Sequence, residues 1–231
     1  MIISCVKWGD KFSHEHVNRL YTMVSKNIDI PFTFVCYTED SSKLHKSIKV
    51  KPLDVSLGLE TWWWKLCMFA EPSNDINLFF DLDVVIKKDI TFLSEYAEQD
   101  QVRMIEAHWK TYKLKDGDMN YNSSMLVWTG DLTHIWNKFI KDPEYWMMKY
   151  KGIDSYLYFH HNPLVFPKGI VYSRLFGIDE TNCWSYAQPS KPYFDADLPV
   201  CIFNGWRRDT LNNKYLLDND GYLDYAIHWN K

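Results

Sequence analysis

The chain is short of most features that would settle its class at a glance. Its five cysteines, Cys5, Cys36, Cys67, Cys183 and Cys201, are odd in number and include no Cys-x-x-Cys pair. Most sit inside apolar runs, so they read as reduced core thiols of a reducing compartment rather than as a disulfide framework. No apolar run approaches the ~20 residues of a membrane-spanning helix. Lys7 and Trp8 follow Met1 too soon for a secretory leader, and a soluble cytoplasmic protein is expected. Base is not in excess: the formal net charge is -4, which leaves no nucleic-acid footprint. No Gly-x-x-x-x-Gly-Lys-[Ser/Thr] loop is present, which counts against P-loop phosphoryl transfer. No repeat, low-complexity tract or linker divides the 231 residues, so a single domain is expected.

What is abundant is aromatic. Phe, Trp and Tyr make up 17% of the chain, with 11 Trp, enough for a large aromatic core or a surface that stacks on ring-shaped ligands. The chain is organised around Asn77-Leu78-Phe79-Phe80-Asp81-Leu82-Asp83-Val84-Val85-Ile86. An apolar run reads as a buried strand, and here it carries two carboxylates one residue apart. Buried and unpaired, each would cost several kcal/mol. A divalent cation removes that cost, because Mg²⁺ or Mn²⁺ takes carboxylates together with the phosphate oxygens of a substrate. The pattern points to a strand-end metal site for a nucleoside diphosphate, against a plain solvent-facing turn.

Earlier in the chain, Met1–Val6 reads as a strand. Val17, Leu20, Tyr21 and Val24 recur at helical spacing behind Ser13 as N-cap, with His16 at N3. Phe32–Tyr37 and Ile48–Lys51 are further strands, so the opening is a βαβ unit with parallel pairing. Leu59–Ala70 predicts a helix carrying Trp62-Trp63-Trp64-Lys65, with Trp62, Leu66 and Phe69 on one face. Three consecutive Trp cannot share a face, so at least one points away from the core. Downstream, the spacing predicts a short helix at Phe92–Ala97 and a strand at Val102–Glu106. An exposed loop spans Thr111–Tyr121, and a strand runs through Asn122–Trp128. A helix capped by Asp131 reaches Ile140 and is broken at Asp142-Pro143. A further helical stretch covers Asp154–His160. Short strands are expected near Val165–Pro167, Ile170–Tyr172 and Pro199–Phe203, and the adjacent His160-His161 pair reads as structural rather than metal-binding.

Several polar clusters follow apolar runs: Lys7-Trp8, Thr38–Asp40, Asp81-x-Asp83, Asn122-Ser123 and Asn204–Arg208. In open α/β sheets, ligands bind outside the carboxyl ends of the strands. The order of these pieces resembles the GT-A nucleotide-sugar glycosyltransferases, in particular the retaining family-eight, glycogenin-like type and small bacterial and phage glycosyltransferases. The resemblance rests on Lys7–Phe12 with His16–Tyr21, on Trp63–Leu66 with Phe80–Val85, on Tyr121–Ser124 and on Phe203–Gly205. It is good over about residues 1–130 and loose beyond.

The resemblance implies an α/β fold with a Rossmann-like, mainly parallel central sheet flanked by helices. Residues 1–130 would form a donor-binding half and 131–231 an acceptor-side half. It implies Mn²⁺ or Mg²⁺ held by Asp81, Asp83 and Asn204, and a nucleotide base over Val6, Lys7 and Trp8. Arg207 and Arg208 would meet the diphosphate together with Asp81, Lys65 would reach the donor, and Asn122 and Asp154 would hold sugar hydroxyls. Trp63 or Trp64 would stack on a carbohydrate acceptor. The activity implied is transfer from a nucleoside diphosphate-sugar, uridine ahead of guanosine, with retention. Two departures stand out. Asn204 replaces the usual His, and Asp154-Ser155 replaces Asp-Gln, which suggests a front-face mechanism or a degraded site. A non-catalytic nucleotide-sugar or carbohydrate-binding protein and a metal-dependent nucleotidyltransferase remain as alternatives.

Overall fold

The computed structural model describes residues 1–113, 119–174, 176–179 and 196–203. Among the described residues ten strands appear in chain order: Ile2–Lys7 (β1), Thr33–Thr38 (β2), Lys49–Pro52 (β3), Ser73–Phe80 (β4), Val84–Ile86 (β5), Arg103–Glu106 (β6), Tyr121–Gly130 (β7), Leu164–Val165 (β8), Val171–Ser173 (β9) and Val200–Ile202 (β10). The α-helices are His14–Lys26 (α1), Thr133–Phe139 (α2), Pro143–Lys149 (α3) and Ile153–His161 (α4). Seven strands form one sheet in the order β3-β2-β1-β4-β7-β6-β8, in which β7 alone runs antiparallel to its neighbours. The fold is thus α/β with a mostly parallel central sheet, as expected. β5, β10 and β9 form a second, three-stranded sheet.

Strand periodicity divides the core in two. Successive side chains of a strand point to opposite faces. Leu78 and Phe80 of β4, Ile105 of β6, and Met125 and Val127 of β7 therefore join Ile3, Cys5, Val17, Leu20 and Val24 on the face covered by α1. Phe79, Met104, Leu126 and Trp128 join Trp63, Leu66, Ile135, Phe139 and Tyr156 on the other. Helix α1 begins as its sequence predicts. Ser13 accepts from the Glu15 amide, and the His16 ring accepts from the Ser13 amide at 3.1 Å, closing a capping box.

Three expectations are corrected. The Trp-rich segment is a 3-10 helix, Thr61–Phe69, rather than an α-helix. Its period of three places Trp63, Leu66 and Phe69 in one buried row and moves Trp62 out of it. Trp63 stacks on Phe139 at 5.3 Å and Trp64 is buried, so neither faces an acceptor. Asp142-Pro143 breaks one helix but also starts another, α3, with Pro143 in its first turn and Asp142 accepting from the Tyr145 amide. Finally, the run Asn77–Ile86 is two strands in two sheets, not one.

Candidate active site

The break in that run is Asp81-Leu82-Asp83. β4 ends at Phe80, the Val84 amide donates to the Asp81 carbonyl at 3.2 Å, and the chain leaves as β5 to pair antiparallel with β10. Each aspartate is pinned to one sheet. The Asp81 amide donates to the Ser124 carbonyl at 2.9 Å, while the Phe203 amide donates to the Asp83 carbonyl at 2.9 Å. The two carboxylates therefore stand at the carboxyl edge of the parallel strands, beside the ends of β1 and β2 and the start of β7.

The carboxylates differ in their surroundings. Asp81 pairs with Lys65, Oδ2 to Nζ 2.7 Å, and the same ammonium donates to Ser123 Oγ at 3.3 Å and Ser123 O at 3.5 Å. Lys65 is 9% exposed, so it is an interior cation and not a snorkelling surface lysine. Asp83 keeps some exposure, but its Oδ1 is buried with no hydrogen-bond partner among the described residues. Desolvation first, and the neighbouring Asp81 charge second, push its carboxyl up to about 6, although the cations Lys11 and Lys65 pull the other way. A buried, unpartnered carboxylate oxygen beside a second carboxylate is the donor set a hard divalent cation uses. Among the described residues no third His, Cys, Asp or Glu joins them. Asn204, Arg207 and Arg208 lie outside the described residues.

A second charged cluster stands on the far side of Ser123. Asp154, in the first turn of α4, accepts from Lys110 Nζ at 2.5 Å and from the Ser123 amide at 3.0 Å. Burial pushes the Asp154 carboxyl up. Lys110 and Lys65, with the hydrogen bonds of Lys110 and Ser123, outweigh that and hold it below the usual carboxylate range. Lys110 also donates to the Tyr121 carbonyl at 2.6 Å. Asn122 Oδ1 accepts from the Ser124 amide at 3.0 Å, so its carbonyl is spent locally on shaping the start of β7. Ser123, buried at 3%, links the two clusters, because it meets Lys65 through its hydroxyl and Asp154 through its amide.

The end of β1 forms the third wall. Lys7 is buried, with Nζ 3.5 Å from the Gly9 carbonyl and 3.9 Å from Glu39, whose Oε1 accepts from the Gly9 amide at 2.7 Å. Gly9 turns the chain there with φ 64°, a left-handed value that favours glycine. Val6 and Trp8 are half-buried and pack with Tyr37 against the second core. The structure thus brings Lys65, Asp81, Asp83, Asn122 and Asp154 to one sheet edge with Val6, Lys7 and Trp8. Sequence reasoning missed Lys110, which carries no local motif. Ser123 was read only within the polar cluster Asn122-Ser123 and the segment Tyr121–Ser124, with no role of its own.

No protein-family model matches the chain, and no curated protein sequence matches it significantly. Solved structures do match by fold. The galactosyltransferase LgtC, solved in complex with donor and acceptor sugar analogues, aligns with a TM-score of 0.66 at 15% identity, over 100% of this chain and 95% of that one. An active-site mutant of LgtC aligns at 0.58 and 14% identity, over 90% of each chain. The bifunctional glycosyltransferase WbbM aligns at 0.54 and 11% identity, over 88% of this chain and 45% of its own.

Proposed function

On the GT-A glycosyltransferase fold that this chain shares with those structures, we propose that it is a metal-dependent glycosyltransferase. It takes a sugar from a nucleoside diphosphate-sugar, uridine ahead of guanosine, and passes it to a carbohydrate acceptor with retention. Residues 1–130 bind the donor, and the remainder closes the acceptor side. The observation that carries the reading is the buried, unpartnered Asp83 Oδ1 beside Asp81 at the carboxyl edge of the sheet.

Asp81 and Asp83, with Asn204, are the residues that would hold Mn²⁺ or Mg²⁺. Bound there, the cation supplies Lewis-acid stabilisation of the leaving diphosphate. Lys65 reaches the donor from its place on Asp81 and carries positive charge to the sugar-phosphate. Arg207 and Arg208 add planar forks for phosphate oxygens. Asp154, kept ionised by Lys110, accepts from sugar hydroxyls, and Asn122 positions the same ring. Val6, Lys7 and Trp8 line the base site. The residue after Asp154 is the buried Ser155, so the site has no amide at that position to face the anomeric carbon from the rear. This favours front-face attack over a rear-face nucleophile.

The test is calorimetry of uridine diphosphate binding with Mn²⁺ and with excess chelator. Binding only in Mn²⁺, with release of free sugar from a uridine diphosphate-hexose, supports the reading. Equal binding in chelator overturns the metal bridge. Binding without any sugar release supports the non-catalytic reading that Ser155 also favours.

A further inference from the structure

The three consecutive tryptophans part company in the 3-10 helix. Trp63 and Trp64 are 4% and 1% exposed, whereas Trp62 is 49% exposed. Two features accompany the exposed ring. Thr61, immediately before it, has φ 49°, a left-handed value that a β-branched residue adopts at a cost of roughly 1–3 kcal/mol. The indole also lies against Gly152 so closely that a Cβ there would stand 2.8 Å from Nε1 and 3.2 Å from Cδ1. The Gly152 backbone is extended, with φ 173°, so it makes no demand for glycine of its own. The indole makes that demand.

The location is informative. Trp62 shares a row of the 3-10 helix with Lys65, one turn or about 6 Å along the axis, and the Lys65 ammonium holds Asp81. Gly152 lies two residues before Asp154, at the N-terminus of α4. One turn on, and on the same face as Asp154, Tyr158 is 40% exposed and meets the Tyr121 ring edge-on at 5.0 Å. A half-exposed indole therefore lies one turn along the 3-10 helix from Lys65 and against the residue two before Asp154.

We propose that Trp62 is the platform on which the acceptor sugar stacks. A pyranose ring offers a flat apolar face of C–H groups to an aromatic ring and directs its hydroxyls sideways. With that face on Trp62, the hydroxyl edge turns toward Asp154 and the donor site. The assignment to acceptor rather than donor follows from position. Lys65 and Asp81 lie on the inner side of the row, and Trp62 on the outer. The inference rests on the glycosyl-transfer reading above.

The test uses the full chain with ¹⁵N-labelled tryptophan and three probes: lactose, maltose and cellobiose. The Trp62 indole N–H signal, assigned by its absence in Trp62→Phe, is expected to shift saturably with at least one probe. Trp62→Ala should weaken that binding at least tenfold, equivalent to about 1.4 kcal/mol, while Trp62→Tyr stays within about threefold. Gly152→Ala, whose new Cβ displaces the ring, should weaken it as Trp62→Ala does, with Tm unchanged. Met148→Ala, at an exposed position on α3, should leave it as in the wild type. A Trp62 signal unmoved by all three sugars, or wild-type affinity in Trp62→Ala, overturns the proposal. Wild-type calorimetry with uridine diphosphate and Mn²⁺ separates the two levels. If the nucleotide fails to bind, the transferase reading fails. If it binds and the Trp62 signal does not move, only the stacking platform fails.

Discussion

Asp83→Asn keeps the side chain's shape and removes its charge. In the metal-free protein the Asp83 carboxyl is pushed up to about 6, against an ordinary value of 3.8. A group raised on folding stabilises the fold below its unfolded value and loses that contribution as pH rises through its folded value. The window is therefore pH 4 to 6, and above it the ionised carboxylate opposes folding. A shift of about 2 units corresponds to roughly 3 kcal/mol at 1.36 kcal/mol per unit. Asp83 keeps some contact with water, so about 1–3 kcal/mol is the range expected. Asp83→Asn should then be more stable than wild type at pH 7.5 in chelator, by about 2–4 °C in Tm for each kcal/mol. The advantage should vanish near pH 4. Comparing the two proteins at each pH cancels other titrations. His161 is one of these: burial and the neighbouring His134 hold it down to about 3, so it destabilises the fold in acid. Mn²⁺ should reverse the order, because the variant lacks one anionic ligand of the proposed metal site. Equal Tm at pH 7.5 together with unchanged affinity for uridine diphosphate in Mn²⁺ would refute both the electrostatic account and the metal site.

Two further outcomes concern the walls of the site. Asp154 is held below the usual carboxylate range, so its contribution is present above pH 4 and lost as pH falls through the lowered value. Asp154→Asn should flatten that part of an acid-denaturation profile while weakening sugar transfer. Trp63→Ala removes a buried ring stacked on Phe139 and should cost about 3–5 kcal/mol in urea denaturation, with the metal-dependent shift in Tm retained.

How far the sequence could be read depended on how local the cause was. The capping box of Ser13 and His16, the βαβ opening and the apolar strands rest on neighbours within a few residues, and all were legible. The break at Asp81–Asp83 was visible as chemistry but not as topology. The apolar run continues through it, and only pairing with the distant Val200–Ile202 shows that the chain changes sheet. Trp62 was misassigned because a period of 3.6 was applied to a segment whose period is 3.0. Pro143 was read as a breaker alone, although a first helical turn favours proline. Lys110 carried no motif, because its role arises from Asp154 and Tyr121, which reach it only through tertiary packing.

Lys65 offers the converse of the Asp83 experiment. Its ammonium is the one cation hydrogen-bonded to Asp81 among the described residues. With Asp81 and Asp83 ionised, the three groups sum to one negative charge, and Lys65→Met leaves two. Two consequences follow with opposite signs. Without metal, Asp81 loses its partner and repels Asp83 more strongly, while the buried Ser123 hydroxyl loses its donor. Loss of one partner of a fully buried pair costs about 3–5 kcal/mol. The Asp81 side chain is 21% exposed, so about 1–3 kcal/mol is expected at pH 7.5 in chelator. With Mn²⁺, the more negative site attracts the cation better, so the rise in Tm on adding Mn²⁺ should exceed that of wild type. Sugar transfer should nevertheless fall, because the ammonium proposed to meet the donor is gone. Asp83→Asn predicts the reverse on both stability measurements. If Lys65→Met is as stable as wild type in chelator and gains no more from Mn²⁺, then Lys65 does not balance the charge of this carboxylate pair.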